Sequence, residues 1–399
     1  MSNLDRLLEC FDSGQLVRPS FGEPDFAALT AAMIHLCGGW APRTAGKRSE
    51  VSQKLLRLIG PAEHYVLVLI DGLGAELLAT LPEGSFLRRH QAGTLQAVVP
   101  PTTATAMTTL ATGFRPASHS IPGWWVYLAA RELSITVLPF VERFSEQPLE
   151  QWGVSAEHVF PVPSAWAGVK RPCTMVLKQA DSTFSRYMGG QAERIGYGNL
   201  PEAFEIVRAR LAQAMAPSFT FVYLPHVDAL AHKEGVDSPQ MPPLLAELDR
   251  QLEALTSAGR ARFVIMADHG LANTPPERKV VIEHADPLLA ELLCLPTGEP
   301  TFLIFHTKPK RQRAFAAAFR ERFGGLFALI TPAQAQELEL FGPEPLTPLM
   351  RSRLGSYIGI PAPTPAALYV RTPAGPFRVH VAHHAGLTSQ EMLVPLILA

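Results

Sequence analysis

Four apolar runs constrain the fold more than any other feature of this chain. Tyr65–Ile70 reads YVLVLI, Leu95–Val99 reads LQAVV, Ser218–Leu224 reads SFTFVYL and Arg262–Ala267 reads RFVIMA. Length and apolar content predict a strand buried on both faces at Tyr65–Ile70, a short strand at Leu95–Val99 and strands at the other two. Polar loops follow them: Asp71-Gly72, Thr102-Thr103, Pro225–Asp228 and Asp268-His269-Gly270. Helix patterns lie between, at Ala75–Thr80, Ala104–Ala111, Pro201–Met215 and Pro243–Thr256. Alternating strand and helix predicts an α/β fold with a mostly parallel central sheet and helices on both faces.

The texture changes after Gly270. A strand-like Thr301–His306 precedes a basic helix pattern, Arg311–Phe323, and a second strand-like stretch, Leu326–Ile330. This reads as a small α+β insertion over 276–362 within a single domain spanning 1–399. Ala367–Val370, Phe377–Val381 and Met392–Leu398 then read as strands.

Composition removes several classes. With 47% hydrophobic and 18% charged residues, global disorder is excluded. A formal charge of −1 gives no global pull on nucleic acid, so no nucleic-acid partner is expected. The four cysteines lie far apart without a CxxC pair, so neither a thiolate zinc site nor a disulfide framework is indicated. The first residues carry acids where a secretion signal is basic, and no long apolar run follows. A cytoplasmic protein with no membrane association is expected. Oligomeric state is not legible.

In an open parallel sheet, loops at the carboxyl ends of strands share one crevice. Asp71, Thr102, Thr103, Asp228 and Asp268 would therefore meet. Asp228 and His232 are four apart, which on a helix places both on one face. Asp268 and His269 are adjacent, and His383-His384 offers further imidazoles. Aspartate and histidine together suit zinc and also manganese. Each signal also has a plain reading: Asp71 and the threonines as helix caps, Asp228 and His232 as a surface pair.

The ordered set resembles the alkaline phosphatase superfamily, and within it the type I phosphodiesterase/nucleotide pyrophosphatase family. The matching stretches are Val66–Leu78, Pro100–Trp124, Tyr223–Gly235, Val264–Asn273 and His383–Ile397. The resemblance implies an alkaline-phosphatase-like catalytic core with two divalent ions, commonly zinc. It implies Asp71, Asp268 and His269 as ligands of the ion beside the nucleophile, and Asp228, His232 and His384 as ligands of the second. His384 is preferred over His383 because members read His-Gly-Gly-Leu where this chain has His384-Ala385-Gly386-Leu387. Spacing to Thr112-Gly113 in the family pattern selects Thr103 as nucleophile and metal contact. No sulfatase signature occupies Thr103–Met107, which disfavours that branch.

The implied chemistry is hydrolysis of a small phosphorylated substrate, a nucleotide or another phosphodiester, through a phosphothreonine. Phosphomonoester hydrolysis, phosphonoacetate-type C–P cleavage and phosphomutase chemistry remain open alternatives, as does a non-catalytic metal-bound module. Trp124 and Tyr127 could stack a base or aromatic group, or pack on the sheet. Arg115, Lys178 and Arg186 could meet phosphate, or be surface charge.

Overall fold

A computed structural model describes residues 3–39, 50–257, 259–373 and 377–399. Its central sheet has seven strands in the order Gln91–Gln96, Leu393–Leu398, Ala261–Met266, His64–Ile70, Ser218–Leu224, Cys173–Leu177 and Glu193–Gly196. Leu393–Leu398 runs antiparallel to both its neighbours, and the other recorded pairings are parallel. Every residue of His64–Ile70 is buried. Successive side chains of a strand point to opposite faces, so both faces of the sheet are covered. Phe26–Leu36, Thr103–Thr112, Leu200–Gln213 and Met241–Thr256 are helices whose apolar residues join the same core as the strands.

Three of these strands matter most for position. Ala261–Met266, His64–Ile70 and Ser218–Leu224 are consecutive and parallel, with Leu69 opposite both Tyr223 and Met266. Their carboxyl ends therefore finish side by side, and Asp71, Asp228 and Asp268 follow within a few residues.

Two expectations need correction. The strand expected at Leu95–Val99 is Gln91–Gln96. It lies at the sheet edge, where its first half is exposed and carries no apolar signal. Phe377–Val381 is not a strand. Its backbone instead donates from Val381 to the His232 carbonyl and from His380 to the Tyr369 hydroxyl. The ladder partner of this region is the short strand Ala382–His383, antiparallel to Ala272–Asn273.

A second seven-stranded sheet is antiparallel throughout. Its order is Phe327–Ile330, Tyr357–Pro361, Phe302–Phe305, Thr297–Glu299, Trp125–Leu128, Leu133–Thr136 and Val141–Glu142. The 276–362 segment thus supplies four of the strands, and the chain just after the Thr103–Thr112 helix supplies the other three. The join is tight: a Cβ on Gly123 would sit 2.7 Å from the Gly298 Cα. Only glycine lets these backbones approach so closely.

Leu67 is fully buried in the central strand. Leu67→Ala removes that packing and is expected to destabilise the protein by about 2–5 kcal/mol, read as a lower midpoint of urea unfolding.

Candidate metal centre and nucleophile

Asp71 leaves its strand in a turn whose amide donates to the Leu224 carbonyl at 3.0 Å, while the Asp228 amide donates to the Asp71 carbonyl at 3.1 Å. Gly72 sits at φ +79°, and a Cβ there would lie 2.4 Å from Leu271 and 3.0 Å from the Asp228 Cα. Glycine is required for the two loops to close on each other. Asp228 and His232 project from the helix His226–Glu234, one turn apart. Thr103 opens the helix Thr103–Thr112. His384 follows the short strand Ala382–His383.

These residues form two groups. Asp71, Asp268 and His269 make one, and Asp228, His232 and His384 make the other; within each, one donor atom per residue lies within 4.8 Å of the rest. The first group is buried, and the second is partly open. His269 Nε2 stands 3.4 Å from Asp71 Oδ1 and 3.5 Å from Asp268 Oδ2. His232 Nε2 stands 3.2 Å from Asp228 Oδ1, and His384 Nε2 stands 4.0 Å from the same oxygen. Stacked His269 and His384 rings, 4.0 Å between centroids, join the groups.

The donor set fits divalent ions. Asp71 Oδ1, Asp228 Oδ1 and Asp268 Oδ2 are buried without a hydrogen-bond donor. Such oxygens are costly unless a cation meets them. A tetrahedral ion with bonds of about 2.0–2.2 Å sets its ligand atoms roughly 3.3–3.6 Å apart, close to the spacings here. The imidazole tautomers agree. His232 Nδ1 donates to the Ala382 carbonyl at 2.9 Å, and His269 Nδ1 to the Gly270 carbonyl at 3.1 Å. Both therefore keep the Nε2 lone pair for a ligand.

Electrostatics point the same way. Burial, with the charges of Asp268 and Asp228, raises the Asp71 carboxyl well above its ordinary value. Burial likewise raises Asp268, with Asp228 adding to it and His269 opposing. Burial and four neighbouring imidazoles push His384 well down, so it is held neutral, the form that binds metal.

Of the clustered hydroxyls, Thr103 faces this centre. Its Oγ1 lies 3.2 Å from His269 Nε2 and 3.4 Å from Asp71 Oδ2. Thr102 instead donates to Glu299, and Thr105 to the Ile121 carbonyl. Asp71, Thr103, Asp228, His232 and His384 all line one cavity of about 1110 Å³.

Other expected residues fall differently. Trp124 lines the cavity. Tyr127 does not: its strand turns the buried ring onto His306, 4.9 Å between centroids. Arg115 is also away from the cavity, paired with Asp25 at 2.5 Å and with Glu344 at 3.8 Å. Its charge is consumed at the cap of the Phe26–Leu36 helix, where Asp25 also accepts from the Ala28 amide. Lys178 lines the cavity, whereas Arg186 bonds the Asp181 carbonyl and the Thr183 hydroxyl. His383 is buried between Thr274 and Tyr369, both bonded to its ring nitrogens.

Two residues of the site carried no separate signal in the sequence. Tyr223 donates its hydroxyl to Asp71 Oδ2. It lies inside an apolar run, and its bond follows only from the parallel register that sets it beside Leu69. Glu299 is buried, accepts from the Thr102 hydroxyl and the Trp124 amide, and lines the cavity. Burial raises its carboxyl to about 8. One departure from the family pattern also has a structural cost: Ala385 sits at φ +80°, where glycine is favoured. A non-glycine residue there stores about 1–3 kcal/mol of strain.

Comparison with known proteins follows this geometry. No curated protein sequence matches the chain significantly. Among solved structures, murine ectonucleotide pyrophosphatase/phosphodiesterase 5 is similar in fold, with a TM-score of 0.61 at 14% identity over 83% of this chain and 87% of that one. An inactive variant of that protein, in complex with AMP, is similar to the same degree, at 15% identity. Phosphonoacetate hydrolase from Sinorhizobium meliloti 1021, in complex with phosphonoformate, has a TM-score of 0.59 at 17% identity over 84% of this chain and 89% of that one. The family profile for type I phosphodiesterase/nucleotide pyrophosphatase matches residues 65–322, well over half of the chain. The protein belongs to the type I phosphodiesterase/nucleotide pyrophosphatase family, hydrolases of phosphoester bonds.

Proposed function

We propose that the protein hydrolyses a small phosphodiester by double displacement at Thr103. Asp71, Asp268 and His269, with the Thr103 hydroxyl, would hold one divalent ion; Asp228, His232 and His384 would hold a second. Zinc suits both donor sets, and manganese is the alternative. When bound, such ions supply Lewis-acid stabilisation of phosphoryl oxygens and lower the pKa of a coordinated hydroxyl. The observation that carries the reading is the convergence of Thr103 Oγ1 on His269 and Asp71 at the cavity wall.

The chain's own groups account for the rest. Thr103 begins a ten-residue helix, so the positive end of the helix dipole faces an incoming phosphoryl oxygen. The Thr102 side chain makes no capping bond to that helix, which leaves the first-turn amides uncapped by it. Thr103 Oγ attacks phosphorus, the P–O bond to one alcohol breaks, that alcohol departs with the proton Thr103 gives up, and Thr103 carries the phosphoryl group with its remaining ester arm. Water then attacks phosphorus, the Thr103–phosphorus bond breaks, and the hydroxyl regains its proton. Tyr223 fixes the rotamer of Asp71 by donating to its Oδ2.

A diester is favoured over a monoester because the cavity extends far beyond the two groups, along Trp124, Phe144 and Phe377. That space has room for an organic ester arm, and the family match favours the diester. The phosphonoacetate hydrolase fold keeps C–P cleavage as the second reading. No helix among the described residues is long and apolar enough to cross a membrane. Cys10, Cys37, Cys173 and Cys294 are unpaired, which supports a cytoplasmic setting.

Three outcomes are expected. Bis-p-nitrophenyl phosphate should be turned over faster than p-nitrophenyl phosphate or phosphonoacetate; the reverse order overturns the diesterase reading. Thr103→Ala should abolish turnover while atomic absorption still finds close to two divalent ions per chain. Fewer than one ion in the native protein, with none restored by zinc or manganese, would instead indicate a non-catalytic module. Tyr223→Phe should weaken metal affinity about 10–100-fold in a competitive chelator titration, because Asp71 loses its orienting donor.

A further inference from the structure

Arg143 has no ion-pair partner in the wall of the substrate cavity. Its guanidinium lies over the Trp125 ring at 3.9 Å and near the Phe144 ring at 5.2 Å. It donates once, from Nη1 to the Pro296 carbonyl at 2.6 Å. Five N–H groups sit on a guanidinium, so most of its fork has no recorded protein acceptor. Nearby acids are engaged elsewhere. Glu142 Oε2 accepts from the amides of Phe144 and Ser145 and from the Ser145 hydroxyl. Glu299 accepts from Thr102 and Trp124. Among the described residues no ion pair holds Arg143, unlike Arg115, which is paired with Asp25.

A cation over an indole is attracted to the ring, which offsets only part of its loss of hydration. Burial accordingly pushes the guanidinium down to about 10. Arg353 is a useful contrast. It is fully buried, whereas Arg143 is half-buried, and it donates to the Ser120 and His158 carbonyls and lies outside the cavity. Arg143 faces the space a ligand would fill.

We infer that Arg143 anchors a second anionic group of the substrate, a terminal carboxylate or phosphate lying beyond the phosphoryl group that Thr103 attacks. The planar fork matches either oxyacid in a bidentate pair, and the surrounding Trp124, Trp125 and Phe144 fit an apolar or flat linker between the two anions. The cavity volume of about 1110 Å³ accommodates such an elongated substrate. The inference rests on the phosphodiesterase reading of the same cavity.

The test uses the full-length, metal-loaded protein and three alkyl p-nitrophenyl phosphate diesters: one with a neutral arm, one ending in a carboxylate, one ending in a phosphate. In the wild type at least one anionic arm should lower KM about 10–100-fold relative to the neutral arm. Arg143→Met should collapse that ratio toward one, and Arg143→Lys should retain part of it. Equal KM values for all three arms in the wild type, or a ratio that survives Arg143→Met, overturns the inference. The order of the two anionic arms identifies which oxyacid is preferred. Calorimetric binding of alkylphosphonates with and without the terminal carboxylate reads the same discrimination without turnover. If wild type and Thr103→Ala are equally inactive on all three esters, the diesterase reading fails. The calorimetric difference still decides Arg143 in that case.

Discussion

Asp71, Asp228 and Asp268 are forced together by three adjacent parallel strands, and their mutual repulsion is the constraint around which the centre is organised. Burial strengthens that repulsion, because little water remains to screen it. Protons could relieve it, at the cost of the charge. Cations relieve it and keep the charge. The imidazoles of His232 and His269, fixed by backbone carbonyls, present Nε2 toward the same space. Such repulsion favours a bound cation, and a cation there would give a chain with a formal charge of −1 a local preference for anions.

The second sheet gives this centre its surroundings. It begins just after the Thr103–Thr112 helix and returns some 150 residues later, so its strands and the residues beside them bring Trp124, Trp125, Arg143 and Glu299 to the cavity from two distant parts of the chain. Glu299 ties the second sheet to Thr102, the residue before Thr103. Chemistry is placed by one sheet and the shape of the cavity by the other. Related centres can therefore serve different substrates when only the second sheet changes.

His64–Ile70, Ser218–Leu224 and Ala261–Met266 were legible because they are nearly all apolar and each ends in a polar loop, whereas Cys173–Leu177 and Glu193–Gly196 went unrecognised. The grouping of Asp71 with Asp268 and His269, and of Asp228 with His232 and His384, is what family resemblance implied, and the structure places those atoms together. What escaped the sequence has a common cause. The edge strand Gln91–Gln96 is half solvated, so no apolar run marks it. Trp125–Leu128 pairs with Thr297–Glu299, a contact that no local periodicity reports. Arg115 and Arg143 look alike in sequence, yet Asp25 neutralises one and, among the described residues, no carboxylate pairs with the other. Side-chain direction and partner depend on long-range register, which periodicity does not encode.

The wide sequence spacing of the ligands also sets an order of assembly. A ribosome delivers Asp71 first, Asp228 and His232 next, then Asp268 and His269, and His384 after all of them. Val381, close before it, hangs on the His232 carbonyl, so the last ligand arrives on a strap that must dock onto an already formed helix. Until then Asp228 and His232 offer an ion only two side chains. A chain that stopped before His384 would lack this ligand and also the strand Leu393–Leu398, which joins Gln91–Gln96 to the rest of the central sheet.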